Sequence, residues 1–227
     1  MERRKISQYI SKSLLQSGKG RLFYSVKDDP EDLGGFSLTA VVNADKSENG
    51  ALSCAYVCRR LEELAAEITE KSASASFAEL DSMLRGFLSS VDSELSYISR
   101  AKGKPFSAYA GLCLVVSNSV IAAVSGPVQC CVFSGGILRF LTPKEQDERP
   151  LGSGEAVVSS FDSVLSGPSS VLLCDSEAVR IPVQSIAAAL SVPSDKSLSS
   201  AALEASRSGK DGKHLLICTA FQNGDAL

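Results

Sequence analysis

Two stretches with helical periodicity, set among many short apolar runs, most constrain what this chain can fold into. Runs over 21–26, 36–42, 108–116, 119–124, 128–133, 137–141, 171–174 and 214–220 are of strand length and bounded by Gly, Pro, Ser, Asn or Asp. In contrast, Leu52, Ala55, Tyr56, Leu61, Leu64, Ala65 and Ile68 recur with the 3.6-residue period of a helix. Phe77, Leu80, Leu84, Phe87, Leu88, Val91, Leu95 and Ile98 do the same. Two long core-facing helices are therefore expected, joined by a Ser/Ala linker over 70–76. A short amphipathic helix is expected over 6–16, within an N-terminal helical segment 1–20. Further helices are expected over 183–190 and 198–206. After Lys102-Gly103-Lys104-Pro105 the closely spaced runs predict an antiparallel meander, and 143–169 reads as a flexible loop near the site. Antiparallel strands interrupted by helix pairs make an α+β chain with helices outside packed sheets.

Three aspartates end or precede these runs. Asp45 follows the run over 38–42 through Asn43 and Ala44. Asp175 directly follows Val171-Leu172-Leu173-Cys174, and Asp211 stands just before Leu215-Leu216-Ile217-Cys218. Carboxylates at strand ends can converge on one edge of a sheet, where hard oxygen donors suit Mg²⁺ or Mn²⁺. The plainer reading is that Asp favours turns and so ends strands without further purpose.

Between Ser107 and Gly212 the chain carries a particular order of short strings. It reads Ala110-Gly111-Leu112, then Ser125-Gly126-Pro127, then Gly135-Gly136-Ile137-Leu138-Arg139-Phe140-Leu141-Thr142. Leu151-Gly152, Leu172-Leu173-Cys174-Asp175 and Lys210-Asp211-Gly212 follow. This order resembles the metal-dependent protein phosphatases of the protein phosphatase 2C (PPM) family, in its compact bacterial form. The resemblance spans about residues 35–221 and lies in layout and short strings, with no motif intact. It implies a single domain over 1–227 built as a four-layer α-β-β-α sandwich. It also implies that Asp45, Asp175 and Asp211 match the acidic metal ligands, with the Lys46 backbone carbonyl and an upstream acid, Asp28 or Asp29, as additional ligands and Arg21 as a phosphate-binding residue.

The departures bear on activity. The family loop Asp-Gly-x-Gly-Gly is here Asp45-Lys46-Ser47-Glu48-Asn49-Gly50. Its Gly-Asp is Gly126-Pro127, its Asp-Gly is Asp175-Ser176, and its Asp-Asn is Asp211-Gly212. Glycine lets backbone and substrate approach closely without steric cost, and an ammonium at Lys46 competes with a cation or neutralises Asp45 in its place. The expected function is thus an impaired or inactive phosphatase-like module, a regulator or scaffold that binds a protein partner or phosphoprotein. The alternative is an active Mg²⁺/Mn²⁺-dependent Ser/Thr phosphatase.

Composition narrows the remaining classes. The chain has 227 residues, 44% of them hydrophobic, enough to bury a sizeable core. A net charge of −3 offers no general pull toward nucleic acid or anionic membrane. No 18-residue apolar span or signal-peptide pattern is present, so a cytoplasmic protein is expected. The seven cysteines lie mostly in apolar runs, without a Cys-x-x-Cys pair, and His214 is the one histidine. A zinc site is not expected. A Cys–His nucleophilic pair involving His214 stays open, and no Gly-x-Ser-x-Gly elbow supports a serine hydrolase.

Overall fold

The computed structural model describes residues 4–12, 21–26, 36–44, 48–71, 74–116, 118–143, 147–167, 169–175, 182–194, 196–197, 200 and 215–223, of which 4–12, 21–26, 175 and 215–223 are described in backbone only. Its strands are β1 (Arg4–Lys12), β2 (Arg21–Val26), β3 (Phe36–Ala44), β4 (Ala108–Val116), β5 (Ser119–Ser125), β6 (Val128–Ser134), β7 (Ile137–Phe140), β8 (Ser159–Val164), β9 (Ser169–Asp175) and β10 (Leu215–Asn223). The helices are α1 (Gly50–Lys71), α2 (Phe77–Lys102) and α3 (Val183–Ser191). Two antiparallel five-stranded sheets result, in the orders β1-β10-β9-β6-β7 and β2-β3-β4-β5-β8.

The period-2 geometry of strands explains the layers. In β4, Ala110, Leu112 and Leu114 point to one side, where they join Leu61, Leu64, Leu84, Leu88 and Leu95 of α1 and α2 in one buried cluster. Cys113 and Val115 point to the other side, onto Val128, Cys130 and Val132 of β6 and Val171 and Leu173 of β9. The outer face of that second sheet, with Cys131, Leu172 and Cys174, packs on Ile186, Ala189 and Leu190 of α3. Helices, sheet, sheet and helix thus stack as the four-layer sandwich. Central strands buried on both faces read as continuous apolar runs, which is why 108–116 and 128–133 show little alternation.

Local chemistry sets the helix ends. At the start of α2, Ser76 accepts from the Glu79 backbone N–H at 3.3 Å while Glu79 accepts from the Ser76 N–H at 2.6 Å, a complete capping box. Gly103, with φ 63°, ends the helix in the left-handed conformation. The two long helices are clamped together by Glu94, which accepts from Tyr56 at 2.8 Å, from Arg60 at 3.0 Å and from Ser90 at 2.9 Å.

Several expectations are corrected. Over 6–12 the expected helix is instead β1, which pairs along its length with β10 from Arg4↔Asn223 to Lys12↔Leu215, and 13–16 lie outside the described residues. The four-residue spacing of Ile6 and Ile10 satisfies both the helical and the strand period, and pairing with β10 decides between them. The meander is broken, because β4–β5 and β6–β7 lie in different sheets and the β5–β6 link crosses between them. Within the stretch read as a flexible loop, 143–169, the chain forms β8, paired with β5 from Ser119↔Val164 to Val124↔Ser159. Leu52 and Phe77 are exposed, and Cys54 and Val57 take the inward positions on α1. The expected helix over 198–206 falls almost wholly outside the described residues.

The Glu94 clamp generates a pH prediction. Burial alone would raise the Glu94 carboxyl, but hydrogen bonds from Arg60, Tyr56 and Ser90 outweigh it and hold the group below its ordinary 4.5. A carboxyl depressed in the folded state stabilises it above the unfolded value and loses that contribution as pH falls through the folded value. The difference in urea midpoint between the wild type and Glu94→Gln should therefore be full at pH 6–7 and shrink below about pH 4.5. A difference that stays constant to pH 3 would contradict the clamp.

Candidate active site

Register alone brings the strand ends together. Ala44 at the end of β3 lies opposite Ala108 at the start of β4, and Val42 lies opposite Ala110. Ala110 in turn faces Ser125, the last residue of β5. Gly126 and Pro127 carry the chain into the second sheet, where Val128 pairs with Asp175, the last residue of β9. Leu216 pairs with the neighbouring Cys174, and Leu215 pairs with Lys12 at the end of β1. Arg21, the first residue of β2, pairs with Val42. The ends of β1, β3, β5 and β9 and the starts of β2, β4, β6 and β10 thus share one rim of the sandwich.

The sequence-predicted residues distribute along that rim as follows. The Asp175 backbone is on it, at the end of β9, and the Arg21 backbone is on it, at the start of β2. Asp45 and Lys46 lie outside the described residues but directly follow Ala44. Asp211 and His214 also lie outside them, a few residues before and directly before Leu215. Asp29 falls outside as well, between the end of β2 and the start of β3. The described residues hold no group of three or more His, Cys, Asp or Glu side chains poised for a metal. By donor type alone, the sequence-predicted carboxylates would suit Mg²⁺ or Mn²⁺, which take hard oxygen ligands.

The turn that carries the chain between sheets is tightly constrained. The Val128 N–H donates to the Gly126 carbonyl at 2.8 Å, a three-residue turn centred on Pro127, whose ring fixes its own φ. Gly126 has φ 86°, and a Cβ there would lie 2.2 Å from the Tyr109 ring. One strand inward, a Cβ on Gly111 would lie 2.3 Å from Val128, so the two sheets touch here backbone to side chain. Ser125, fully buried beside this turn, has a hydroxyl without a hydrogen-bond partner. Pro127 after Gly126 makes the crossing between the sheets rigid.

Two surface hollows adjoin the rim. A small cleft of about 120 Å³ is lined by Val124, Gly126, Pro143, Asp147, Val157, Ser159 and Phe161. At its edge the Arg149 guanidinium donates to both carboxylate oxygens of Asp147, at 2.9 and 2.6 Å, its backbone N–H donates another at 2.8 Å, and together they hold that carboxyl down to about 2. A polar groove of about 420 Å³ lies between α2 and the 153–155 turn, lined by Ser93, Ser96, Arg100, Ser153, Gly154 and Glu155.

Two of the buried cysteines are ill suited to nucleophilic work, and the open pairing with His214 lies outside the described residues. Burial pushes Cys131 to about 12. Cys130, hydrogen-bonded to Cys113 and enclosed, is raised well above its ordinary value. Thiols this reluctant to ionise are poor nucleophiles.

Sequence reasoning passed over Asp92 and Asn49. Asp92 is buried yet sits on the apolar stripe of α2 between Leu88 and Leu95. A carboxylate at a core position was the available signal. Asn49 donates to the Pro105 carbonyl at 3.1 Å, just beyond the Asp45 loop.

No family model matches the sequence, and no curated protein matches it. Solved structures do. A Streptococcus agalactiae serine/threonine phosphatase superposes with a TM-score of 0.73 at 10% identity, over 97% of this chain and 100% of that one. PppA, described as a key regulatory component of the T6SS in Pseudomonas aeruginosa, gives 0.71 at 13% identity, over 95% and 96%. The catalytic domain of the phosphatase PstP in complex with two manganese ions gives 0.69 at 14%, over 98% and 100%. The chain therefore has the fold of the bacterial serine/threonine phosphatases across its whole length. No helix among the described residues is long and apolar enough to cross a membrane.

The Gly126 turn is directly testable. Gly126→Ala forces a side chain into the left-handed region and into the Tyr109 ring, and should cost roughly 2–4 kcal/mol of unfolding free energy. Gly167→Ala has φ 66° but open space around it, and should cost only about 1 kcal/mol. Equal losses in urea denaturation would show that the rim is not packed as described.

Proposed function

We propose that this chain is a divergent protein phosphatase 2C-like domain whose catalysis is weakened or lost. It serves as a regulatory or scaffold module that binds a protein partner or phosphoprotein. One observation carries the reading. The rim gathers the strand ends next to Asp45, Asp175 and Asp211, yet the loops at those ends carry Lys46, Pro127, Ser176 and Gly212 where the resembled family has other residues.

The residues that would hold Mg²⁺ or Mn²⁺ are Asp45, Asp175 and Asp211, joined by the Lys46 backbone carbonyl; Asp29 follows Val26, at the far end of β2 from Arg21, and so is not counted with them. A bound pair of such ions supplies an activated water and neutralises phosphoryl oxygens. Around it, Arg21 at the start of β2 would orient a phosphate by its forked donors. The Lys46 ammonium opposes a cation at Asp45 and can pair with that carboxylate itself. The Pro127 turn supplies neither a carboxylate nor a backbone donor at its position. Each change weakens metal retention or substrate approach while leaving the sandwich intact, which is the pattern of a fold kept for binding.

The second reading, an active metal-dependent Ser/Thr phosphatase, is favoured by three aspartates standing next in sequence to strand ends that share one rim. Hydrolysis of an aryl phosphate with millimolar Mn²⁺ separates the two. The expected result is no metal-dependent turnover above that of Asp175→Asn. Turnover that requires Mn²⁺ and vanishes in Asp175→Asn would overturn the proposal. A competent site would also raise the melting temperature, since a ligand at 100 times its Kd adds about 2.7 kcal/mol of stability. The impaired reading expects a much smaller rise.

A further inference from the structure

The geometry points to Asp92 as a positioning residue for the loop that carries Asp45 and Lys46. Asp92 lies on α2, far in sequence from that loop, and the connection between them is a short chain of hydrogen bonds. Its carboxylate is buried and forms no ion pair among the described residues. Instead it accepts from three backbone N–H groups of one turn: Gly152 at 2.7 Å, Gly154 at 3.1 Å and Ala156 at 3.4 Å. A buried carboxylate satisfied only by backbone donors gives those donors fixed positions, because any displacement leaves a charge unsolvated.

The held turn grips the next segment. Leu151 exchanges two backbone hydrogen bonds with Ala108, at 3.1 and 2.8 Å. Gly152, with φ 96°, lies so close to Phe106 that a Cβ would stand 2.1 Å from its carbonyl oxygen. The same helix holds that segment a second time, since Ser99 accepts from the Phe106 N–H at 2.9 Å.

That segment brackets the Asp45 loop on both sides. Ala108 pairs with Ala44, the residue directly before Asp45. Pro105 accepts from Asn49, and Lys104 lies 3.6 Å from Glu48 in an exposed ion pair of little energetic weight. The loop lacks the glycines of the resembled family, and its two described ends are tied to a frame: Asp92 to the 151–156 turn, the turn to 105–108, and 105–108 to Ala44 on one side and Asn49 on the other. The consequence for metal binding rests on the phosphatase-like site proposed above; the consequence for the loop itself does not.

Hydrogen exchange on the full chain tests the frame directly, with Asp92→Asn replacing one acceptor oxygen by a donor in nearly the same volume. Amide exchange should accelerate about tenfold over 151–156 and, in the same variant, over 44–50, while β6 and β9 keep their protection. Leu84→Ala, a cavity in the same helix, should not single out 44–50. Acceleration confined to 151–156, or spread evenly over the chain, would overturn the inference. If Asp92→Asn does not fold, Ser99→Ala releases the frame from its other hold. It should loosen 103–108 and 44–50 together, and an unchanged 44–50 would equally overturn it. The impaired reading expects little Mn²⁺-dependent shift of the wild-type melting temperature; where the wild type does show one, Asp92→Asn should require about tenfold or more additional metal to reach it. A wild type that shows no shift accords with the impaired reading, and the exchange result alone then decides the frame.

Discussion

Where β4 crosses β6, Gly111 faces Val128 with no room for a methyl group between them, and the whole rim depends on that contact. It sets how near the two sheets come. The β5–β6 link has only Gly126 and Pro127 with which to step from one sheet to the other. A wider gap could not be bridged by so short a turn, and the ends of β3 and β9 would no longer lie on one edge. Close packing of this kind has few alternatives, because interiors are as dense as organic crystals and do not deform smoothly.

On this rigid base the two sheets play different parts. The sheet with β3 and β4 is backed by two long helices whose mutual clamp, Glu94 with Arg60 and Tyr56, is half-buried and hydrogen-bonded throughout. The sheet with β6 and β9 is backed by α3, whose apolar face covers Leu172 and Cys174. The loop after β3 thus sits beside the more heavily braced layer, while Asp175 ends a strand of the other.

Much of this was legible residue by residue. Strand 21–26 coincides with β2, and the starts at Phe36 and Ala108 were read from the apolar runs. The capping box at Ser76 and Glu79 and the glycine stop at Gly103 follow from local chemistry alone. Errors arose where one pattern satisfies two periods. Ile6 and Ile10 fit a helix and a strand equally, and Leu52 and Phe77 fall on a helical stripe whose outermost turn the core does not reach. The order within 147–167 was hidden because its stability comes from outside it, from Asp92 and from β5.

The sequence by itself determined that short strands flank two long amphipathic helices. It also placed acidic residues at strand ends and an order of short strings resembling one phosphatase family, because these follow from the spacing of neighbours along the chain. Tertiary structure alone decided that the ends of β3, β5 and β9 meet on one rim, that β1 is a strand, and that a carboxylate on α2 braces a turn some sixty residues downstream. Those outcomes depend on register between strands and on contacts between distant segments. Period and propensity carry no information about either, since both are chosen by the packing of the whole.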